Sequence, residues 1–239
     1  MAERIVMTGC SRGLGLELAR RHAERGDRVF ATCRMPGEAR ALSGLAASHP
    51  RLVKVERLDQ ADEASIAEAV VRAEEHLGAV DLLWSSAGIY PGSPGTGVQE
   101  GPLGTLRADD GLSVLATNAV GAILVAQAFL PLLHRGTRPR LVAVSSGYGS
   151  LGLNQGTPYW YGASKAALNM LHRSLAFDPA ARGVVVLLLS PGWAQTDMGG
   201  PRAPTPVAEC VAGMMRVADA AGREQSGTFL DWQGAVVPW

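Results

Sequence analysis

Short apolar runs alternate along the chain with longer stretches whose apolar residues recur every three or four positions. Arg4-Ile-Val-Met-Thr8, Arg28-Val-Phe-Ala-Thr-Cys33, Leu52-Val-Lys-Val-Glu56 and Val80-Asp-Leu-Leu-Trp84 predict four strands. Arg140-Leu-Val-Ala-Val-Ser145 and Val184-Val-Val-Leu-Leu-Leu-Ser190 are almost unbroken apolar runs, the pattern of central parallel strands covered on both faces. Helical periods fill the gaps. They run over Leu14–Arg25 (closed by Gly26), Gly37–Ser48, a third helix with Ile66, Val70, Ala73 and Leu77 on one face before Gly78, then Asp110–His134, Tyr161–Asp178 and Val207–Ala220. Such alternation predicts an α/β fold, a doubly wound parallel sheet with right-handed crossovers in a single domain over residues 1–239.

Two segments interrupt the rhythm. Tyr90–Pro102 and Gly199–Pro206 are too rich in Gly and Pro for regular elements and predict surface loops. Both follow strand ends on the carboxyl edge of the sheet, where open α/β sheets bind ligands. Together with the stretch after the fifth strand they define expected substrate loops at about 90–108, 147–158 and 191–206.

Composition narrows the class without choosing a chemistry. Of 239 residues 47% are hydrophobic and 18% charged, which indicates a globular chain able to bury a substantial core. Net charge is zero and no basic cluster stands out, so neither nucleic acid nor a membrane surface is expected as a partner. No signal-peptide pattern is evident, and no apolar stretch reads as long enough to cross a bilayer. Cys10, Cys33 and Cys210 are odd in number and lack paired spacing, which suggests a reducing, cytoplasmic setting. The five histidines have no ligand spacing, so no metal site is expected.

Candidate chemistry centres on Tyr161-Gly-Ala-Ser-Lys165. On a helix, residues four apart share a face, so the Tyr161 phenol and the Lys165 ammonium can enter one site. A fixed positive charge favours the phenolate and is expected to draw the phenol pKa down toward the working range of general acid–base chemistry. The alternative is a packed tyrosine and a solvated lysine. A second signal is Thr8-Gly-Cys-Ser-Arg-Gly-Leu-Gly15, between the first strand and first helix. Its glycines allow a tight turn and close approach, and the helix N-terminus offers N–H groups to a pyrophosphate, which points to Gly9, Ser11, Arg12, Gly13, Leu14 and Gly15 as a nucleotide cradle.

TGxxxGxG at Thr8–Gly15 followed by YxxxK at Tyr161–Lys165 resembles the short-chain dehydrogenase/reductase family. Four further matches come in order: Ser85-Ser-Ala-Gly88, Asn118, Val144-Ser-Ser146 and Ser190-Pro-Gly-Trp-Ala-Gln-Thr196. Within the family, Pro191–Gly200 and Phe229–Gly234 look like the C-factor and sniffer-type carbonyl reductase branch. The resemblance implies a Rossmann fold and a catalytic set of Asn118, Ser146, Tyr161 and Lys165. Tyr161 would exchange the proton, Ser146 would hydrogen-bond the reacting oxygen, Lys165 would hold the nicotinamide ribose, and Asn118 would hold a water leading to solvent. Choosing Ser146 over Ser145 rests on the family pattern. Tyr159 is the rival phenol, six residues before Lys165 and off its helix face, or upstream of the helix altogether.

The same resemblance adds Ala87, Gly88, Pro191, Gly192, Trp193, Ala194 and Thr196 to the cofactor contacts, with Asp59 on the adenine unless it is simply an exposed loop acid. An NAD-selective site places a carboxylate at the end of the second strand. Here Thr32-Cys-Arg34 stands there instead, and Arg34 with Arg12 could grip a 2′-phosphate, which favours NADPH/NADP+ over NADH. Tyr148, Leu153, Tyr159, Trp193 and Met198 suggest a pocket for an apolar or aromatic carbonyl or alcohol. Ser85-Ser86 replaces the family's paired asparagines, which puts the bracing of the fourth strand in question. Relatives imply a homodimer or homotetramer. Three readings share the fold: a carbonyl reductase, a nucleotide-binding signalling or scaffold protein, and a reductase of C=N or C=C bonds.

Overall fold

The computed structural model describes residues 2–93, 95–156 and 158–239. In chain order its elements are β1 (Arg4–Met7), α1 (Gly13–Arg25), β2 (Arg28–Cys33), α2 (Arg40–Ser48), β3 (Val53–Arg57), α3 (Glu63–Leu77), β4 (Leu82–Ser85), α4 (Ala108–Leu115), α5 (Ala122–His134), β5 (Arg140–Val144), α6 (Tyr159–Phe177), β6 (Val185–Ser190), β7 (Ala194–Gln195), β8 (Thr205–Pro206), α7 (Val207–Ala220) and β9 (Phe229–Asp231). Seven strands form one parallel sheet in the order β3-β2-β1-β4-β5-β6-β9. The order reverses between β1 and β4, and a crevice opens at the carboxyl ends of those two strands.

The unbroken apolar runs follow from burial on both faces. Val6, Phe30, Leu83, Leu141, Val186 and Leu188 pack under α3, α5 and α6. Their alternating neighbours Ile5, Val29, Leu82, Trp84, Val142 and Leu187 pack under α1, α2 and α7. Each such side chain taken fully out of water contributes about 1.5–3 kcal/mol, so both faces of every central strand must be apolar.

Several expectations need correction. The helix expected over Gly37–Ser48 opens as a 3-10 turn at Pro36–Glu38 and becomes α-helical only at Arg40. The third strand starts at Val53, the fourth at Leu82, and Phe229–Asp231 is a seventh sheet strand that its three-residue length hid from pattern reading. Tyr159 opens α6 rather than preceding it. The helix expected over Asp110–His134 begins at Ala108 and is interrupted by a π-helical turn at Ala116–Gly121. By length and composition Ala108–His134 is also long and apolar enough to cross a membrane, contrary to the sequence reading. Here its apolar residues, Val125, Ala126 and Phe129 among them, instead form the core against the sheet.

At the opposite edge of the sheet from the crevice, polar groups are buried in pairs. Trp84 Nε1–H donates to His22 Nε2 at 3.1 Å, while His22 Nδ1 lies 2.8 Å from Asp27. Burial pushes the His22 pKa down against the pull of Asp27. Arg140, fully buried, is held by Glu3, Asp219 and the Ala218 carbonyl. Paired in this way, the charges stabilise one arrangement of the strand starts rather than adding much net stability.

Candidate active site

The glycine turn lies between β1 and α1 and is pressed against the end of β4. A Cβ on Gly9, whose φ is 74°, would stand 2.6 Å from Ala87 Cα, and one on Gly15 would stand 2.3 Å from the Gly9 carbonyl oxygen. Thr8 Oγ1 accepts hydrogen bonds from the Ser86 and Ala87 N–H groups at 3.1 and 3.0 Å. This threonine answers the question raised by the missing asparagines. Ser85 Oγ is buried without a partner among the described residues, and the bracing comes from β1 instead. Arg12 precedes α1 and carries a guanidinium, which has donors only and so leaves capping to other groups. The first turn of α1 points its N–H groups toward the crevice end of the sheet, where a phosphate could accept from them.

The loop after β6 closes the other side of this cleft. Thr196 approaches Gly13 so closely that a Cβ there would lie 3.5 Å from its methyl, and Asp197 pairs with Arg12 at 3.5 Å. Gln195, Thr196, Asp197, Gly200 and Pro201 line a cavity of about 490 Å³. Pro191 and Ala194 are buried, Gly192 takes a φ of 71° beside Trp232, and the exposed Trp193 donates its Nε1–H to the Gly199 carbonyl at 2.8 Å. Arg34 is exposed just beyond β2, and Ser11 is exposed on the turn. Asp59 caps its own turn by accepting from Ala61 N–H at 3.0 Å.

Tyr161 and Lys165 share one face of α6 and converge at the ends of β4 and β5. The Lys165 ammonium lies 5.7 Å from the centroid of the Tyr161 ring and donates to the Val144 carbonyl at 2.7 Å. A Cβ on Gly88 would meet both Asn118 Oδ1 at 3.3 Å and Lys165 Nζ at 3.6 Å, so a side chain there would crowd both groups. Ser146 opens the turn after β5, accepts from Tyr148 N–H at 3.3 Å and lies close enough to the Tyr161 phenol to draw its pKa down. Ser145 points the other way. It is buried and donates to Asn169 Oδ1 at 2.6 Å, while Asn169 Nδ2–H donates to the Gly149 carbonyl at 3.1 Å. Of the two serines, Ser146 is thus the one directed at the phenol.

The expected electrostatics of this pair do not hold in the chain alone. Burial pushes the Tyr161 phenol up to about 12, opposed by the Ser146 hydrogen bond. Burial also pushes Lys165 down to about 8. Desolvation disfavours the charged form of each group and is the largest cause of both shifts.

Asn118 sits in the π turn, fully buried. Its Oδ1 accepts from Ile89 N–H at 2.7 Å, and its Nδ2–H groups donate to the Ile89 carbonyl at 2.8 Å and to Ser164 Oγ at 3.0 Å. The asparagine therefore staples the end of β4 to α6, and the wide turn is what swings its side chain there. Gln60, which the sequence reading missed, reinforces the staple. Its Nε2 donates to the Thr117 carbonyl at 2.6 Å and to the Ala87 carbonyl at 3.2 Å. Gly121 is needed beside it, because a Cβ there would stand 2.2 Å from the Gln60 carbonyl oxygen.

Around the phenol, Met198 Sδ receives the Tyr161 hydroxyl at 3.9 Å, and the Tyr148 ring meets Tyr161 edge-on at 6.2 Å. Tyr90 lies closer still, edge-on at 4.8 Å, although no sequence signal marked it. Leu153 is half exposed in the turn held by Ser150 Oγ, and Tyr159 projects from the first turn of α6.

Comparison with known proteins agrees with this architecture. The short chain dehydrogenase family profile matches residues 3–206. The C-signal protein of Myxococcus xanthus is 44% identical over 68% of this chain and 94% of its own length. The carbonyl reductase Sniffer of D. melanogaster superposes with a TM-score of 0.90 at 29% identity, and the NADPH-bound carbonyl reductase from chicken fatty liver with 0.90 at 32%, each covering 100% of both chains. With the glycine cradle, the parallel sheet and the Tyr161–Lys165 pair in one crevice, the chain belongs to the short chain dehydrogenase family.

Proposed function

We propose that this chain is an NADPH-dependent oxidoreductase that interconverts a carbonyl and an alcohol, with Tyr161 as the general acid or base. The convergence of Ser146, Tyr161 and Lys165 beside the glycine cradle carries the reading. The cradle suits a dinucleotide: backbone stands where any side chain on Gly9 or Gly15 would collide, and the turn leads directly into the N-terminus of α1. Gly9 to Gly15 would hold the pyrophosphate, Arg12 and Arg34 the 2′-phosphate, and Pro191 to Thr196 the nicotinamide end. NADPH supplies the hydride when bound. The NADPH-bound chicken relative supports this choice of cofactor.

Reduction of a carbonyl builds negative charge on its oxygen, and donors aimed at that oxygen stabilise the transition state more than the ground state. Ser146 would hydrogen-bond the oxygen and Tyr161 would deliver its proton. Lys165, buried beside the phenol and still mostly protonated at pH 7 with a pKa of about 8, would favour proton release. Asn118, with its side-chain amide taken up by Ile89 and Ser164, ties the segment after β4 to the helix that carries Tyr161 and Lys165. Tyr90, Tyr148 and Met198 surround the phenol with apolar surface, which suits an apolar or aromatic carbonyl.

The test is NADPH oxidation across a panel of aldehydes and ketones. Tyr161→Phe is expected to lower kcat by about 10²–10⁴-fold while cofactor affinity stays within a small factor. A phenylalanine variant as active as the parent would end the proposal. The 44% identity to C-signal favours a second reading, in which the protein binds the nucleotide and signals without turnover. That reading expects tight NADPH binding and no activity on any carbonyl.

A further inference from the structure

The helix that carries Tyr161 begins without a cap of its own. Pro158 precedes it and contributes no side-chain hydrogen bond, so the N–H groups of the first turn need acceptors from elsewhere. Glu100, some sixty residues earlier, supplies both. One carboxylate oxygen accepts from Tyr159 N–H and the other from Trp160 N–H at 2.8 Å. A carboxylate at the positive end of a helix, with charge-assisted bonds to two adjacent amides, is among the stronger ways to fix a helix start.

The clamp reaches the phenol from two sides. Along α6, Trp160 immediately precedes Tyr161, and its ring packs against α4 at Gly111, where a Cβ would come within 2.9 Å of it. Along the loop, Val98 is buried and its carbonyl accepts from Gly92 N–H at 2.8 Å, which ties the Glu100 segment to the turn bearing Tyr90. Tyr90 is the ring packed nearest the phenol, at 4.8 Å. Tyr90, Pro91, Glu100, Gly101, Pro102 and Tyr148 line most of a cavity of about 360 Å³ beside it, so the carboxylate is part of that wall.

We propose that Glu100 is a positioning residue, clamping the tyrosine-bearing loop onto the N-terminus of the catalytic helix and thereby fixing the aromatic wall of the substrate pocket. This rests on the carbonyl-reductase reading for its kinetic consequence, though not for its geometry.

Amide hydrogen exchange without substrate tests the geometry, and steady-state kinetics test the consequence, on the full chain with Glu100→Gln and Glu100→Ala. In Glu100→Ala the Tyr159 and Trp160 amides are expected to exchange about tenfold faster or more, since two charge-assisted bonds are lost. The carbonyl KM is expected to rise about tenfold, with kcat falling less and NADPH affinity unchanged. Glu100→Gln keeps an acceptor oxygen and is expected to recover part of both effects; it also serves if the alanine variant does not fold. Unchanged exchange at Tyr159 and Trp160 would overturn the clamp. Faster exchange with an unchanged KM would overturn the positioning role. A parent inactive on every carbonyl would sink the reductase reading, while the exchange measurement would still decide the clamp.

Discussion

Replacing Lys165 by methionine should make the cofactor-free protein more stable while disabling it. Methionine keeps most of the length and removes the ammonium. Burial lowers the Lys165 pKa from 10.5 to about 8, which at about 1.4 kcal/mol per pH unit corresponds to a penalty of about 3 kcal/mol for holding the charge inside. Against it stands the 2.7 Å bond to the Val144 carbonyl, worth about 1.5–3 kcal/mol for a charged donor. The balance is a gain of about 1 kcal/mol for the variant at pH 7. Its dependence on pH has a definite sign. Below pH 8 both folded and unfolded chains hold the proton, and the parent carries the full penalty. Between about 8 and 10.5 the unfolded chain still binds a proton that the folded chain has released, so the parent gains stability as pH rises. Urea unfolding of both proteins from pH 7 to 10 reads this directly, because every other titrating group is common to the two. The difference should shrink or reverse across the upper window. A variant less stable than the parent by a constant amount from pH 7 to 10 would refute the argument, since it would mean the ammonium is fully compensated where it lies.

Other consequences can be checked alongside. Ser145→Ala removes the 2.6 Å donor to Asn169 and should cost about 1–3 kcal/mol in thermal or urea unfolding with kcat near the parent value, whereas Ser146→Ala should lower kcat by about 10²–10³-fold with little effect on stability. Gly9→Ala sets a Cβ 2.6 Å from Ala87 Cα at a φ of 74°, so a lower melting temperature and weakened NADPH binding by fluorescence titration are expected together. His172 is pushed down to about 4 by burial. As pH falls from 6.5 to 4 the unfolded chain takes up a proton the folded chain refuses, so stability drops over that window. His172→Leu should flatten that acid slope in urea midpoints taken at pH 7 and 4.5.

The sequence by itself determined the layers and the identity of the principal groups. Unbroken apolar runs at Leu141–Val144 and Val185–Leu189 can be satisfied only by strands covered on both faces, and the spacing of Tyr161 and Lys165 puts both on one side of any helix. Those are local consequences of side-chain period, and they need no knowledge of what lies across the fold. Tertiary structure decided the rest, because it depends on partners far away in the chain. Ser145 and Ser146 are indistinguishable in sequence until Asn169 claims one of them. The π turn that brings the Asn118 amide to Ile89 and Ser164 has no signature in the periodicity, and the Tyr90 ring and the Glu100 carboxylate reach the catalytic helix through a loop that periodicity leaves blank. The direction of the Tyr161 pKa shift in the chain alone is beyond the sequence for the same reason. Proximity of a cation can be read from spacing, but the removal of water that raises Tyr161 and lowers Lys165 is produced by the whole packed crevice.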